Sequence, residues 1–446
     1  MKIDMPANVK LILDTLQGQG YQAFIYGACV RDSILGHGPI NWDITTSALP
    51  PEVIILFDDQ NGFAAIPAAS DYGTVSLIYQ GENYRVSTFR SASEHRFSEN
   101  IAGELAQHDF TLNALAYNDR QGLIDPFGGL TDISQQLIRC VGDPQVNFSA
   151  DPVRMLRAVR FEAQLGFTLD NSVLKAILAY PWPDDCDFYH SEKVSNEFTQ
   201  LLLTDKPSQS IRRLHELGLL SHLLPELIST IGFDTRSSYH NKDVFEHTLA
   251  VLDHTKPDLT LRLASLLHDI GKPLCLTIDA DGEGHCYGHA SIGADIAKES
   301  LGRLNFDPKT ISAVSALVKE HMNDYDHASE LSIKRLIQRI GTDNICNLFE
   351  LQLSDIEVSP LTGRDINRVR SIRTKCWEVM SRREPLTTKD LVISYYELMP
   401  YFNSGRAIGE AMDYLLDKVI DNPALNDKDK LFALLDIGLP ESTRED

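Results

Sequence analysis

Apolar positions return along this chain with two different periods. Over residues 9–21, VKLILDTLQGQGY, they recur every three or four residues, which predicts an amphipathic helix. QAFIYG (22–27) is a short apolar run that stops at Gly27 and predicts a buried strand. GTVSLIYQ (73–80) and NYRVSTFR (83–90) alternate, with Gly81 at the turn, and predict a hairpin. FTLNALAYN (110–118) reads as helix or strand leading into the loop DPFGG (125–129). From about Asp151 the helical period takes over. RMLRAVRFEAQLGF (154–167) stops at Gly166, a helix-ending glycine. SEKVSNEFTQLLL (191–203), SIRRLHELGLLSHLLPEL (210–227), VFEHTLAVLDHT (244–255), LTLRLASLLHDIG (259–271), ISAVSALVKEHM (311–322) and IGEAMDYLLDKVID (408–421) keep the same period.

The pattern predicts an α+β protein: a small mixed α/β head followed by a long all-helical body. At 446 residues the chain exceeds what one core usually serves. Four segments are expected: a head over 1–145, a helical neck over 146–230, a central domain over 231–360 and a helical tail over 361–446. PWPDDCD (181–187) and IEVSPLTGRD (356–365) read as linkers. Hydrophobic residues at 43% and charged residues at 23% describe an ordinary globular composition. No apolar run is long enough to span a bilayer, and MKIDMPANVK lacks a signal core, so a cytoplasmic place is expected. The seven scattered cysteines form no CxxC pair, which argues for free thiols in a reducing compartment. The net charge of −22 excludes bulk attraction to nucleic acid. An RNA partner would need a local basic patch.

Two sites carry chemistry. In the head, Gly27-Ala28-Cys29-Val30-Arg31-Asp32 follows the expected strand, and Asn41-Trp42-Asp43 comes shortly after. Small residues after a strand let backbone N–H groups approach a triphosphate, and Arg31 adds charge. Carboxylates one residue apart on a strand share a face and can hold Mg²⁺. Here only Asp43 of such a pair is acidic. In the body, His247, His268-Asp269, His289, His321 and Asp355 recur at helix-scale intervals. Packed helices would bring imidazole and carboxylate groups together. Such a mixed N/O set suits Mn²⁺, Fe²⁺, Co²⁺ or Ni²⁺ better than Mg²⁺.

The head motif resembles that of the class II tRNA nucleotidyltransferase/poly(A) polymerase family, which includes the CCA-adding enzymes. Asp109-Phe110-Thr111-Leu112-Asn113-Ala114 resembles that family's RRDFTINA motif, residues 125–129 its DPFGG loop, and Asp151 to Phe161 its EDPLRMLRAVRF segment. Ile408-Gly409 through Asn426 is similar to its tail. The resemblance implies that Gly27, Arg31, Asp109, Asn113, Asp151, Arg154, Arg157 and Arg160 bind nucleotide or RNA, with Asp151 and Arg154 reading the base. It implies Asp43 as a catalytic Mg²⁺ ligand, if transfer is retained. The departures are Asn41 for the first acidic ligand, Arg85 for the third carboxylate, Gln107-His108 for an arginine pair and Ala150 for a glutamate. A guanidinium facing a metal repels it.

The central cluster resembles the HD phosphohydrolase superfamily. This implies that His247, His268, Asp269 and Asp355 hold a divalent metal, that His289 and His321 extend the site to a second, and that His268 and Asp269 are catalytic. Tyr239-His240-Asn241 is a candidate lip of that site. Arg154, Arg157 and Arg160 share a helix face and, with Lys193 and Arg212-Arg213, form a candidate phosphate-binding strip. The expected ligands are tRNA or tRNA-like RNA and ATP, CTP or a related nucleotide, with neither DNA nor membrane. The leading expectation is a phosphohydrolase acting on RNA ends or nucleotides. It removes a phosphate or opens a 2′,3′-cyclic phosphate while a degenerate transferase head holds the RNA. The alternatives are an active CCA- or A-adding enzyme, with Glu82 or Asp32 replacing the lost carboxylates, and a non-catalytic tRNA-end binding protein.

Overall fold

A computed structural model describes residues 2–58, 62–69, 73–91, 97–98, 100–182, 191–237, 243–323, 328–359, 365–402 and 404–438. The chain forms two compact units, Met1–Phe188 and Tyr189–Asp446, so the expected neck is divided between them. Residues 183–187 and 360–364 of the expected linkers, and the candidate lip Tyr239-His240-Asn241, lie outside the described residues.

The first unit carries a seven-stranded sheet. Its strands are β1 (Ala23–Tyr26), β2 (Ile44–Thr46), β3 (Phe63–Ala69), β4 (Thr74–Tyr79), β5 (Glu82–Thr88), β6 (Ala116–Asn118) and β7 (Gly122–Ile124). Their order is β3-β4-β5-β2-β1-β6-β7. Only β2 and β5 run parallel among these neighbours. The expected hairpin is β4–β5. Its two-residue turn, Gln80-Gly81, has φ of 51° and 84°, the left-handed pair that suits the twist of two joined strands. The ambiguous segment 110–118 divides into a 3-10 turn, Thr111–Asn113, and β6. The DPFGG loop is a helix start: the Asp125 carboxylate accepts from the N–H groups of Gly129 and Leu130 at 2.7 and 2.9 Å. Apolar side chains from β1, β6 and the adjoining loops, including Phe24, Phe89, Leu105 and Ala114, close one core.

The described part of the second unit is almost wholly helical, with one short hairpin pairing Thr277–Ile278 to Gly284–His285. Segment 210–227 is not one helix. It breaks into the end of Pro207–Glu216, then Leu220–Leu223 and the start of Pro225–Ile228. Gly218 takes φ of 75°, and Pro225 has no N–H to continue a helix. Five helices matter for the site: Val244–His254, Leu259–Leu267, His289–Arg303, Pro308–Glu320 and Ile345–Val358. Asp243, Asp258 and Asp307 fix three of their starts by accepting backbone N–H groups at 2.7 to 3.0 Å. Arg262, buried in the second helix, ties three segments together. It donates to the carbonyls of Leu202, Thr204, Thr255 and Lys256. These lie at the C-terminal ends of Glu192–Leu202 and Val244–His254, where carbonyls lack helical partners. No helix among the described residues is long and apolar enough to cross a membrane.

Candidate functional site

The six histidine and aspartate residues of the body converge. His268 and His321 occupy the residues that end their helices. Their Nδ1–H groups donate to the carbonyls of Ser265 and Val318 at 2.8 and 2.6 Å. His289 opens its helix and donates Nδ1–H to the Cys286 carbonyl at 2.8 Å. A carbonyl only accepts, so each Nδ1 carries the proton and each Nε2 of a neutral ring presents a lone pair. His247 Nδ1 meets the Ser359 hydroxyl at 3.1 Å.

The Nε2 atoms face inward. His247 and His268 approach to 3.3 Å, and His289 and His321 to 3.4 Å. Two lone pairs at that distance repel unless a proton or a metal cation lies between them. Asp269 stands between the two pairs. Its Oδ2 is 3.2 Å from His268 and 3.5 Å from His247, and its Oδ1 is 3.4 Å from His289 and 3.8 Å from His321. Asp355 Oδ1 lies 3.1 Å from His247. Ligand atoms therefore group as His247, His268 and Asp355 on one side, and Asp269, His289 and His321 on the other, each trio within 4.8 Å. Imidazole nitrogens and carboxylate oxygens at this spacing fit a first-row divalent metal.

All six residues are buried. Burial pushes the His321 imidazole down to about 4, so it keeps its lone pair at neutral pH. Burial also opposes a charge on Asp269, but His268 and Lys272 outweigh it and hold the carboxyl well below its ordinary range. Lys272 Nζ sits 2.7 Å from Asp269 Oδ2. The sequence reading did not single out Lys272; its place one helical turn after Asp269 was the available signal. Gly271 makes the assembly possible. A Cβ there would lie 2.3 Å from the His289 carbonyl oxygen and 2.8 Å from Gly293 N.

The head offers a different pocket, about 380 Å³, lined by Gly27, Arg31, Asp43, Asp109, Asn113, Arg154, Arg157, Arg160 and neighbours. Gly27 holds φ of 77° where β1 turns into the helix Ala28–Ile34. Asp109 acts as an organiser. It accepts from Arg157 at 2.7 Å, Asn113 at 3.2 Å and Phe110 N at 2.8 Å. Burial would raise its pKa, but Arg157 overcomes that and lowers it. Asn113 in turn accepts from Arg31 at 2.7 Å, and Arg31 and Arg160 lie 5.1 and 4.4 Å from the Phe161 ring centre. Arg154 donates to the Gln107 carbonyl at 3.1 Å.

Asp151 does not line this pocket; its carboxylate accepts from Val153 N at 3.2 Å at a helix start. Asp43 does line it. The parallel pairing of Ile44 with Val86 sets the preceding residues Asp43 and Arg85 alongside each other. Burial raises the Asp43 pKa, and Arg85 and His108 pull against that rise. Asn41 is not in the wall. The candidate substitute carboxylates are occupied elsewhere, Asp32 with Arg31 at 2.7 Å and Glu82 with the Tyr84 hydroxyl. Arg212 and Arg213 pair with Glu246 and Glu216 rather than extending a basic strip.

Residues 23–139 match the family described as the Poly A polymerase head domain, residues 166–230 the probable RNA and SrmB-binding site of polymerase A, and residues 244–366 the HD domain. A CCA-adding enzyme of Geobacillus sp. is 39% identical over 223 residues, covering 48% of this chain and 53% of that protein. An A-adding tRNA nucleotidyltransferase of Deinococcus radiodurans is 34% identical over 269 residues, covering 58% and 61%. The matched stretch thus spans about half the length of such relatives. In fold, the chain resembles the Bacillus stearothermophilus CCA-adding enzyme solved with CTP, with a TM-score of 0.59, 23% identity and 97% of each chain covered. It also resembles the Thermotoga maritima CCA-adding enzyme complexed with tRNA, with a TM-score of 0.53, 18% identity, and 98% and 99% covered.

Proposed function

Starting from a chain whose residues 23–139 match the poly(A) polymerase head family and whose residues 244–366 match the HD family, we propose that it processes the 3′ end of tRNA or tRNA-like RNA, with phosphoester hydrolysis at the HD centre. The observation that carries this reading is the arrangement of four inward Nε2 atoms around one shared carboxylate. His247, His268 and Asp355 would hold one divalent ion, and Asp269, His289 and His321 a second. Bound metal supplies Lewis-acid activation of water near neutral pH. The chain's own groups do the rest. Backbone carbonyls fix the imidazole tautomers, and Lys272 sets the carboxylate and offers a cation to phosphate.

The test is the full chain with Mn²⁺ or Ni²⁺ and 2′,3′-cyclic AMP. Ring opening that is lost in His268→Ala and Asp269→Ala supports the reading. Equal turnover in those variants overturns it.

A second reading is nucleotide addition by the head, and the comparisons favour it over a disabled head. The relatives that match there are named CCA-adding and A-adding enzymes, and no finding shows the head to be disabled. The arginine-lined pocket suits the phosphates of ATP or CTP with Mg²⁺. Against it stands the count of acids: Asp43 and the Arg157-bound Asp109 are the carboxylates in that wall. Labelled CTP or ATP with tRNA lacking its terminus decides the matter, since incorporation requires transfer.

A further inference from the structure

Next to Asp269 the second unit opens into a cavity of about 480 Å³, whose wall includes Thr235, Lys272, His285, Tyr287, His289 and Lys319. That volume suits a small ligand of roughly nucleoside size. His289 and Lys272 touch Asp269, so the cavity and the metal centre are continuous. Several features of this wall serve no purpose in holding metal. The His285 and Tyr287 rings stack with centres 5.3 Å apart and planes 10° apart. His285 is fixed from outside by Asp279 Oδ2 at 3.0 Å and sits on the short hairpin. That hairpin is pressed onto Thr235: a Cβ at Gly284 would lie 1.8 Å from the Thr235 carbonyl oxygen. Tyr287 is 78% exposed at the cavity edge, which leaves its outer face open to a ligand. Thr235 is the opposite case. It is 4% exposed, and its hydroxyl has no hydrogen-bond partner among the described residues. Glu320, also in the wall, is paired with Arg339 at 2.8 Å and Lys272 with Asp269 at 2.7 Å, and Lys319 adds a further cation.

We propose that this cavity seats the nucleobase next to the phosphoester that the metal centre attacks. The base stacks on Tyr287, and Lys272 and Lys319 face the phosphate. A rigid aromatic pair accepts any base by its π-face, which suits a variable RNA end. For the reaction, though not for the binding, this rests on the hydrolase reading above. Water adds to phosphorus of the 2′,3′-cyclic ester, one phosphorus–ribose oxygen bond breaks, the freed ribose oxygen takes a proton, and a monoester remains.

The experiment compares 2′,3′-cyclic AMP with glycerol 1,2-cyclic phosphate, which has no base, on the Mn²⁺-loaded full chain. Tyr287→Ala should raise KM for the nucleotide about tenfold or more, with kcat and the glycerol ester little changed. Tyr287→Phe, which keeps the ring, should behave as the parent. An unchanged preference in Tyr287→Ala, or equal loss on both esters, overturns the proposal. A second arm needs no turnover: equilibrium dialysis of 3′-AMP against the Arg154→Ala chain with and without Tyr287→Ala, the first change removing a head contact. Weaker binding by about tenfold supports the base seat; equal or absent binding overturns it. If neither ester is opened by a chain that binds metal, the hydrolase reading fails and dialysis alone decides this one.

Discussion

Replacing Gly271 by alanine should damage one half of the candidate metal centre and spare the other. The new methyl would begin 2.3 Å from the His289 carbonyl oxygen, and Cβ contacts below 3.0 Å are essentially never seen. The obstacle is backbone, so no rotamer change relieves it. The start of helix His289–Arg303 must retreat by at least about 0.7 Å. His289 rides on that start, and its Nε2 lies only 3.4 Å from both Asp269 Oδ1 and His321 Nε2. Metal–ligand distances tolerate about 0.2 Å, so the Asp269, His289 and His321 trio loses its geometry. None of the atoms that a Cβ at Gly271 would strike belongs to the trio of His247, His268 and Asp355. Calorimetric titration with Mn²⁺ should show two sites in the parent. In the variant one site should weaken about 10- to 100-fold and the other stay intact. Overpacking should also lower the stability of the second unit by roughly 1–3 kcal/mol, read by thermal melting. Two unaltered binding events in Gly271→Ala would refute the reasoning.

Other outcomes follow from groups described above. Arg262→Met strips four carbonyls of their donor, and should cost roughly 3–5 kcal/mol of second-unit stability in urea titration, since the lost bonds are charge-assisted and buried. Asp109 titrates below its ordinary range when folded, so its contribution is complete above about pH 4 and is lost as pH falls through the folded value. Asp109→Asn should therefore destabilise the first unit at pH 7 and flatten its acid limb, measured by circular dichroism. Asn41→Asp combined with Arg85→Glu returns acids around Asp43 and should raise CTP or ATP incorporation at least about tenfold; no gain would refute the acid-count argument.

The HD cluster was legible because its residues lie on strongly periodic helices, where six chemically unusual positions stand out from an apolar background. His247, His268, Asp269, His289, His321 and Asp355 converge, with Asp269 grouped with His289 and His321 rather than with His247, His268 and Asp355 as expected. Periodicity did not reveal the division into trios, because that depends on which carbonyl anchors each ring. Nor did it mark Lys272 or Gly271, whose roles arise from contacts between helices far apart in sequence. The head strands and hairpin were legible from alternation and from Gly81. The break within residues 210–227 was not, since leucine-rich runs keep the helical period across Gly218 and Pro225. Arg212 and Arg213 looked available because spacing alone cannot show Glu246 and Glu216 opposite them.

Asp269 stands between the two trios. Its two oxygens face different histidine pairs, so cations held by the two trios would lie on either side of one anionic group that screens their mutual repulsion. A substitution at that position would take a ligand from the trio with His289 and His321 and strip a flanking negative charge from the trio that keeps Asp355.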